Sequence, residues 1–334
     1  MLTFNAGISP FSVVGDGPDN FGNFWSDSNL DSDINFEWFD ISEVGSLYSF
    51  PHNDEAGEPI DIGFDFPFLS SSYEQCIINA NGWIGFGSDS DAWENTNIPS
   101  SAAPSPAIFA LWDDLNPVNE QCNSYCSGNV YYYGDGEKFV VWFDQVAHWW
   151  TNFENSFYTF QVILYPSGDI VFNYLNLEGD YSSATIGMQN QNASDAMVMG
   201  VNNTNALLDN NFSISIKQVP DWVNVLNGNG NLSQGEGANI QITLDAENLN
   251  VGTYNSFLFV NTNVEDVTIP MALYVNEDNQ LLGDINGDGA VNVQDIVIVV
   301  NYILQGLYSD IADMNEDGTL NVQDAIILIG IIIN

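Results

Sequence analysis

Short runs of alternating apolar and polar residues, separated by turn-forming residues, fill most of the chain before residue 218. This alternation is the pattern of half-buried β-strands, and no run in this region shows a helical spacing. The clearest strand candidates are PIDIGFDF, CIINANGWIGFG, AIFALWDDL, NVYYYG, KFVVWFDQVAHWW, SFYTFQVILYP, DIVFNYLNL, ATIGMQN and FSISIK. This number of short strands in one region predicts a β-sandwich or jelly roll over residues 19–217.

The strand pattern continues on a smaller scale over residues 218–277. The segments PDWVNVL, ANIQITLDA, TYNSFLFVNT and VTIPMALYV alternate between apolar and polar residues and are separated by Gly- and Asn-rich turns. A unit of this size with this pattern is typical of a small immunoglobulin-like sandwich. The sequence therefore predicts a second β-domain at residues 218–277.

A separate lead-in is predicted at residues 1–18. Its alternating apolar positions are Leu2, Phe4, Ala6 and Ile8. These predict a strand, and the Gly and Pro residues that follow it break the pattern. The strand has two possible partners: an edge of its own sandwich, or the open edge of a neighbouring copy.

In the last part of the chain, residues 278–334, the spacing of apolar residues no longer follows the strand alternation. This part of the sequence contains an internal repeat. GDINGDGAVNVQDIVIVVNYIL and ADMNEDGTLNVQDAIILIGIII are related by an offset of 29 residues. Each copy has a polar, Asp- and Asn-rich loop followed by an apolar stretch long enough for a short helix. The repeat predicts a small α-helical module after the two β-domains, in a chain that is otherwise mainly β.

Each copy of the repeat has the ligand spacing of an EF-hand-type calcium loop. The predicted ligands are Asp284, Asn286, Asp288, Ala290, Asn292 and Asp295 in the first loop, and Asp313, Asn315, Asp317, Thr319, Asn321 and Asp324 in the second. Gly289 and Gly318 permit the sharp turn, and the residue after each glycine contributes its main-chain carbonyl. We expect two calcium ions, on which folding of the module depends.

The tandem loops resemble those of dockerins over residues 281–334. The resemblance implies a module that needs calcium to fold and that docks onto a cohesin of another protein. At loop positions 10 and 11, where dockerins carry recognition residues, both copies have Val-Gln, at Val293-Gln294 and Val322-Gln323. Cellulosomal dockerins commonly show hydroxyl residues there, so this sequence favours docking in another kind of assembly.

The large β-region resembles a β-domain of secreted bacterial proteins over residues 19–205. The matching stretches include DNFGNFWSDSN, FEWFDIS, IDIGFDFPF, NGWIGFG, AIFALWDDLNP, FQVILYPSGDIVF and IGMQN. This resemblance implies an extracellular or cell-surface location more than an activity. Residues 218–277 look like the immunoglobulin-like modules that follow such domains.

The chain is strongly acidic, with 45 Asp and Glu against 2 Lys and Arg and a net charge of -43. This charge repels phosphate backbones and anionic membrane surfaces, so nucleic acid and membrane insertion are not expected. The apolar run at residues 325–333 is too short to span a bilayer. No signal peptide is visible, so a secreted protein would have this sequence in a mature or trimmed form. The carboxylates are either solvated or hold calcium.

Two further kinds of covalent feature are predicted from composition. Cys122 and Cys126 flank a short polar turn and suit a loop disulfide in an oxidising compartment, whereas Cys76 lies in an apolar run and is expected to be a buried free thiol. Candidate glycan acceptors in N-x-Ser/Thr triplets are Asn192, Asn202, Asn211 and Asn231.

Candidate catalytic residues are few. Asp113 and Asp114 are adjacent carboxylates at a strand end, and adjacent strand residues point to opposite faces. His52 and His148 are the only histidines, and no GxSxG, HExxH or Cys–His arrangement occurs. We therefore expect no enzyme activity. Aromatic residues offer an alternative role as sugar platforms: Trp93, Trp142, Trp149, Trp150, Phe153, Phe157 and Tyr158.

The sequence thus favours a non-enzymatic, secreted, calcium-binding structural or adhesive subunit of an extracellular assembly, with a head-to-tail filament as one form. The expected partners are other copies of the chain or a cohesin-like protein, with polysaccharide as a further candidate. Two alternatives remain: a surface-attached carbohydrate-binding protein docked through its dockerin-like module, and a non-catalytic part of a secreted enzyme.

Overall fold

The computed structural model describes residues 1–333 except 88–90, 123, 150–155, 248, 266, 276–281 and 316. The prediction of a mainly β chain with a small helical C-terminus is confirmed. Among the described residues, neither helix has the length and apolar character needed to cross a bilayer.

Twenty strands are described, with two α-helices at the C-terminus. The first ten strands are β1 (Leu2–Ser9), β2 (Asn23–Asp27), β3 (Ser46–Tyr48), β4 (Ile60–Phe68), β5 (Ser71–Asn79), β6 (Trp83–Gly85), β7 (Ala107–Trp112), β8 (Leu115–Asn116), β9 (Asn129–Gly134) and β10 (Phe139–His148). The others are β11 (Phe157–Leu164), β12 (Ile170–Glu178), β13 (Thr185–Gln189), β14 (Ala196–Val201), β15 (Phe212–Gln218), β16 (Val223–Leu226), β17 (Asn229–Leu232), β18 (Gln241–Leu244), β19 (Gly252–Thr262) and β20 (Val267–Val275). The helices are α1 (Val293–Gln305) and α2 (Val322–Ile332).

A large β-sandwich is formed by two sheets. One has the order β2-β15-β12-β11-β10-β9-β3, with β8 also pairing with β10, and the other has the order β14-β13-β7-β6-β5-β4. Side chains of both sheets meet in one buried apolar cluster that includes Phe66, Phe143, Phe160 and Ile186. The sandwich predicted for this region is therefore present, and its core lies between the two sheets.

The outer faces of both sheets are also covered, which explains why several strands are apolar throughout. On the six-stranded sheet, Trp83 and Trp112 pack with Ile98 from the segment between β6 and β7. On the eight-stranded sheet, Ile41 packs against Val140 from outside. Strands buried on both faces need no polar side, so AIFALW is buried along its whole length.

The N-terminal strand β1 is the second strand of a four-stranded sheet with the order β17-β1-β19-β20. It pairs antiparallel with β17 through Phe4–Gly230 and with β19 through Ala6–Val260. Residues 1–18 are therefore not a separate lead-in, and β1 is not an edge strand of the large sandwich. Both backbone edges of β1 are paired inside this chain, and Ala6 and Ile8 on one face are buried.

The chain forms two compact units, in contrast to the four segments predicted from the sequence. One unit is Met1–Asp245 with Asn255–Met271, and the other is Ala246–Tyr254 with Ala272–Asn334. The pairing of β1 draws most of the small β-module into the first unit, because it joins positions 2–9 to positions 229–262. The two-stranded sheet β16-β18 belongs to the same unit.

The C-terminal helices share a small apolar core of their own. Val299 from α1 and Leu328 from α2 are fully buried, and Ala312 and Met314 from the connection pack with them. Each helix begins at an asparagine cap, Asn292 for α1 and Asn321 for α2, and both caps form a capping box with an aspartate three residues later. The repeat in the sequence is thus a repeat in structure.

Candidate functional site

The first acidic loop turns around the buried carboxylate of Asp284. Its Oδ1 accepts hydrogen bonds from the N–H groups of Gly287 at 3.0 Å and Asp288 at 3.1 Å, and its Oδ2 accepts one from Gly289 at 2.8 Å. Gly289 has φ 83°, a left-handed conformation that glycine adopts without strain. The backbone therefore wraps around position 1 of the loop, as an EF-hand-type loop does.

Asp295 closes the same loop from the first turn of α1. Its Oδ1 accepts from the N–H groups of Ile285 at 2.8 Å and Asn286 at 3.1 Å, and its Oδ2 accepts from Asn292 at 2.9 Å. Burial would raise the pKa of Asp295, but the hydrogen bonds from Asn292, Asn286 and Ile285 outweigh it and lower the pKa. Position 12 is therefore held as a carboxylate.

The middle of the loop presents side-chain and main-chain oxygens. Asn286 Nδ2 donates to Asp288 Oδ2 at 2.8 Å, and Asn292 Nδ2 donates to the Ala290 carbonyl at 3.0 Å. Among the described residues, no three His, Cys, Asp or Glu side chains form a metal site by themselves. Calcium would have to take amide and carbonyl oxygens together with the aspartates, which is the mixed oxygen set it prefers.

The second loop repeats this arrangement. Asp313 Oδ2 accepts from the Gly318 N–H at 2.8 Å, and Asp324 Oδ2 accepts from the Asn321 N–H at 2.8 Å. The contacts between Asn315 and Asp317 and between Asn321 and Thr319 also recur. Tyr308 was not among the predicted loop residues, and its hydroxyl donates to Asp313 Oδ2 at 3.0 Å. A tyrosine outside the loop spacing carries no ligand signal, so only the structure reveals it.

Both helices expose apolar residues at equivalent positions of the repeat. The exposed residues are Val293, Val297, Val300 and Leu304 on α1, and Val322, Ile326, Ile329 and Ile333 on and just after α2. Their spacing of four, three and four residues places each set on one helix face, opposite the buried side. We call these two sets the apolar stripes. They are surfaces that a partner protein can cover.

The C-terminal module is similar over its whole length to one known family. Residues 282–333 match the dockerin type I domain. This confirms the resemblance inferred from the loops. Dockerin type I domains bind calcium and dock onto cohesins, which supports a calcium-binding module with a cohesin-like partner. The number of calcium ions stays a prediction, and so do the individual ligands.

The large β-domain also matches a family. Residues 34–226 match the family described as NIDO related, which is more than half of the 334 residues of the chain. The chain belongs to the NIDO-related family. No curated protein and no solved structure matches the chain. The NIDO-related domain covers most of the large sandwich and ends at the last residue of β16.

The adjacent carboxylates of the NIDO-related domain have different neighbours. Asp113 Oδ2 accepts from Ser183 Oγ at 2.5 Å, and Asp113 Oδ1 lies 3.5 Å from His148 Nε2. Asp114 is half-buried, and burial together with the charges of Asp54 and Asp113 raises its pKa to about 7 against a smaller opposing effect of His148. The two aspartates therefore have different surroundings, although both lie near His148.

Among the described residues, the aromatic residues of the candidate sugar platform are divided between different parts of the fold. Trp142 lies in the eight-stranded sheet and makes an edge contact with Trp38 at 5.6 Å. Trp93 is exposed and lies next to Ala92, whose carbonyl accepts from two tryptophans of the six-stranded sheet. Of the other candidates, Tyr158 is buried, Trp149 and Phe157 are half-buried, and Trp150 and Phe153 lie outside the described residues.

The cysteines and candidate glycan acceptors have the following positions. Cys122 and Cys126 are joined by a disulfide. Cys76 is a buried free thiol, and burial raises its pKa. The four candidate acceptors are exposed: Asn192, Asn202, Asn211 and Asn231. Glycan attachment to them stays a prediction.

Proposed function

We propose that this chain is a non-enzymatic, secreted subunit that is fixed to an extracellular assembly through its dockerin type I module and displays its NIDO-related domain there. The observation that carries the proposal is the C-terminal repeat: two acidic loops, each closed by a buried aspartate, and each followed by a helix with an apolar stripe. The partner in this proposal is a cohesin-like module of another protein.

The chemistry of the stripes indicates what the partner surface should be. Every stripe residue is aliphatic, and the most exposed are Leu304 at 79% and Ile333 at 77%. Burying them removes apolar area from water, so the facing surface should be apolar at its centre. Because the chain carries a net charge of -43, Lys and Arg around the partner's rim would speed association.

Several features support the extracellular, non-enzymatic part of the proposal. The Cys122–Cys126 disulfide suits an oxidising compartment. Asp113, the first candidate for acid–base chemistry, has both carboxylate oxygens next to protein groups, Ser183 and His148. These contacts suit a structural role for the carboxylate.

The head-to-tail filament has weaker support than docking through the dockerin module. A strand-donating filament needs β1 to pair with a neighbouring copy. In the structure, β1 pairs along both edges within its own chain, with β17 and with β19. We therefore propose assembly through the apolar stripes and not through β1.

The proposal is tested by measuring binding of the full chain to immobilised type I cohesin modules, in calcium and in a calcium chelator. We expect binding in calcium only. The double variant Val297→Asp/Ile326→Asp places one charge in each stripe and should weaken binding at least tenfold, because burial of an unpaired carboxylate opposes the contact. Its calcium uptake should be unchanged.

The matched control is Val44→Asp/Val118→Asp, which adds the same two charges at exposed valines of the NIDO-related domain. This control should bind as the wild type does. Binding that persists in chelator, or that survives charges in both stripes, would contradict the proposal. So would a wild-type chain that binds none of the cohesin modules in calcium.

A further inference from the structure

The segment between β6 and β7 presents a tryptophan to solvent. Among the tryptophans that the structure describes, Trp93 is the one that is exposed, at 47%. Trp83 in β6 and Trp112 in β7 are fully buried. An indole ring left in water adds nothing to the apolar core, so the ring of Trp93 is a candidate contact for a ligand.

The backbone immediately before Trp93 is tied to the six-stranded sheet. The Ala92 carbonyl accepts hydrogen bonds from the indole N–H groups of Trp83 at 3.2 Å and Trp112 at 3.0 Å. Ala92 also packs against the apolar cluster that contains both of these tryptophans. The position of Trp93 in the chain is therefore fixed by two buried side chains.

The backbone that follows Trp93 is tied to the same sheet. Asn95 Nδ2 donates to the Ser183 carbonyl at 2.6 Å and to Thr185 Oγ1 at 3.0 Å. The Thr185 hydroxyl in turn donates to the Thr96 carbonyl at 2.9 Å. Because the segment is ordered before any ligand arrives, little conformational entropy is lost when one binds.

Trp93 lines a shallow concavity of about 450 Å³ together with Asp91, Glu94, Thr96 and Ala102. This volume is within the range of ligand sites, roughly 300–1,000 Å³. An exposed aromatic ring beside a few polar groups is the composition such sites commonly have.

The side chains around the ring are mainly hydrogen-bond acceptors. Asp91 and Glu94 are exposed, and ionised carboxylates only accept. Both N–H bonds of the Asn95 amide are used in the contacts with Ser183 and Thr185. A matching ligand therefore brings an apolar face for the ring and hydroxyl groups that donate to the carboxylates.

The charge of the chain restricts the ligand further. The chain has two Lys and Arg residues in total. Neither lines the concavity: Lys138 is paired with Asp135 at 3.1 Å, and Lys217 lies over the ring of Phe11 at 5.5 Å. An anionic ligand would be repelled by the two carboxylates without any compensating cation, so the ligand should carry no negative charge.

We propose that Trp93 and the concavity beside it bind a neutral polysaccharide built from pyranoses with equatorial hydroxyls, such as β-linked glucose. The C–H bonds of such a sugar form a flat apolar face that packs on an indole ring. The hydroxyls at the edge of the sugar ring donate to the carboxylates of Asp91 and Glu94. This site lies in the NIDO-related domain and uses neither the dockerin loops nor the apolar stripes, so it adds a ligand for the domain that the assembly displays.

Calorimetric titration of the full chain, in calcium and without any cohesin, tests the proposal. The neutral probes are cellohexaose and xylohexaose, and tetragalacturonate is the anionic comparison. A neutral probe should bind and the galacturonate should not. Trp93→Ala should weaken binding about tenfold or more, because it removes the stacking face. Trp93→Phe, which keeps a smaller ring, should bind with intermediate affinity.

The matched control is Tyr125→Ala, which truncates another exposed aromatic residue of the same domain. It should bind the neutral probe as the wild type does. Because Trp93 is exposed, Trp93→Ala should unfold at the wild-type temperature, which separates loss of the ligand contact from a failure to fold.

The inference is overturned if neither neutral probe binds, or if Trp93→Ala binds as tightly as the wild type. Tight binding of the galacturonate would also contradict it. So would displacement of the neutral probe by choline at constant ionic strength, which is the behaviour of a site for organic cations. A chain that binds cohesin modules but neither sugar would contradict this inference alone, whereas one that binds a sugar but no cohesin would contradict only the docking proposed above.

Discussion

Asp31 shows how single residues tie the N-terminal segment to the large sandwich. It is 1% exposed, and its Oδ1 accepts from the Ser12 hydroxyl at 2.7 Å while its Oδ2 accepts from the N–H groups of Ser12 and Val13 at 3.0 and 3.2 Å. Burial alone would raise the pKa of Asp31, but these bonds and one from the Asp33 N–H outweigh it and lower the pKa.

The lowered pKa predicts a pH-dependent contribution to stability. A carboxyl group whose folded pKa is below its unfolded value stabilises the fold above the unfolded pKa and loses this effect as pH falls through the folded pKa. Asp31→Asn should therefore lower the free energy of unfolding by about 1–3 kcal/mol at neutral pH, the range for hydrogen bonds to a charged group. The difference should shrink below about pH 4. Urea unfolding at the two pH values measures it.

The control for this experiment is Asp33→Asn, a nearby exposed aspartate. It should change the free energy of unfolding by less than about 0.5 kcal/mol. An Asp31→Asn variant as stable as this control at neutral pH would show that the hydrogen bonds of Asp31 contribute nothing measurable.

Residues with a local signal were predictable, whereas residues that act through distant contacts were not. The spacing of aspartates and asparagines predicted both dockerin loops, because the ligands of one ion lie within one short segment. Asp113 and Ser183 are 70 residues apart in the sequence and meet only in the folded chain. Neither has a motif around it, so no pattern in a single sequence could have joined them.

The strand β1 is the element whose placement matters most for the small β-module. Ala6 and Ile8 are buried, and the strand supplies hydrogen bonds to β17 on one side and to β19 on the other. Without it, β17 and β19 would each present an unpaired edge. The small sheet is therefore completed by the part of the sequence farthest from it.

A substitution on the buried face of β1 should destabilise the fold strongly. Ile8→Asp should lower the free energy of unfolding by at least about 2 kcal/mol, because it buries an unpaired carboxylate and removes an apolar side chain. Asn5→Asp, on the exposed face of the same strand, introduces the same charge without burying it and should be close to neutral. Protease cleavage within 229–262 gives a second readout. Equal stability of the two variants would contradict the pairing of β1 described above.

The alternation of LTFNAGI predicted the strand but not its partners. Alternation reports that one face is buried, and it carries no information on which edge supplies the hydrogen bonds. The choice was decided by contacts such as Ile8 with Leu258, about which the local pattern of β1 says nothing. The same limit explains why the boundary drawn at residue 18 did not hold.

At the scale of the whole molecule, the large sandwich and the dockerin module should differ in how far their stability depends on calcium. The large sandwich is held together by a continuous apolar core between its two sheets. The dockerin module has a small core around Val299 and Leu328 and two loops of converging carboxylates. Without a cation, those carboxylates repel one another, so the stability of this module should depend on calcium.

Hydrogen–deuterium exchange of the full chain, in calcium and in a calcium chelator, tests this most directly. In calcium, the amides of α1 and α2 should be protected. In chelator they should exchange rapidly, while β7, β10 and β11 of the NIDO-related domain remain protected under both conditions. Helices α1 and α2 that are equally protected with and without calcium would show that the C-terminal repeat does not depend on calcium to fold, and the calcium-dependent docking proposed for this chain would be wrong.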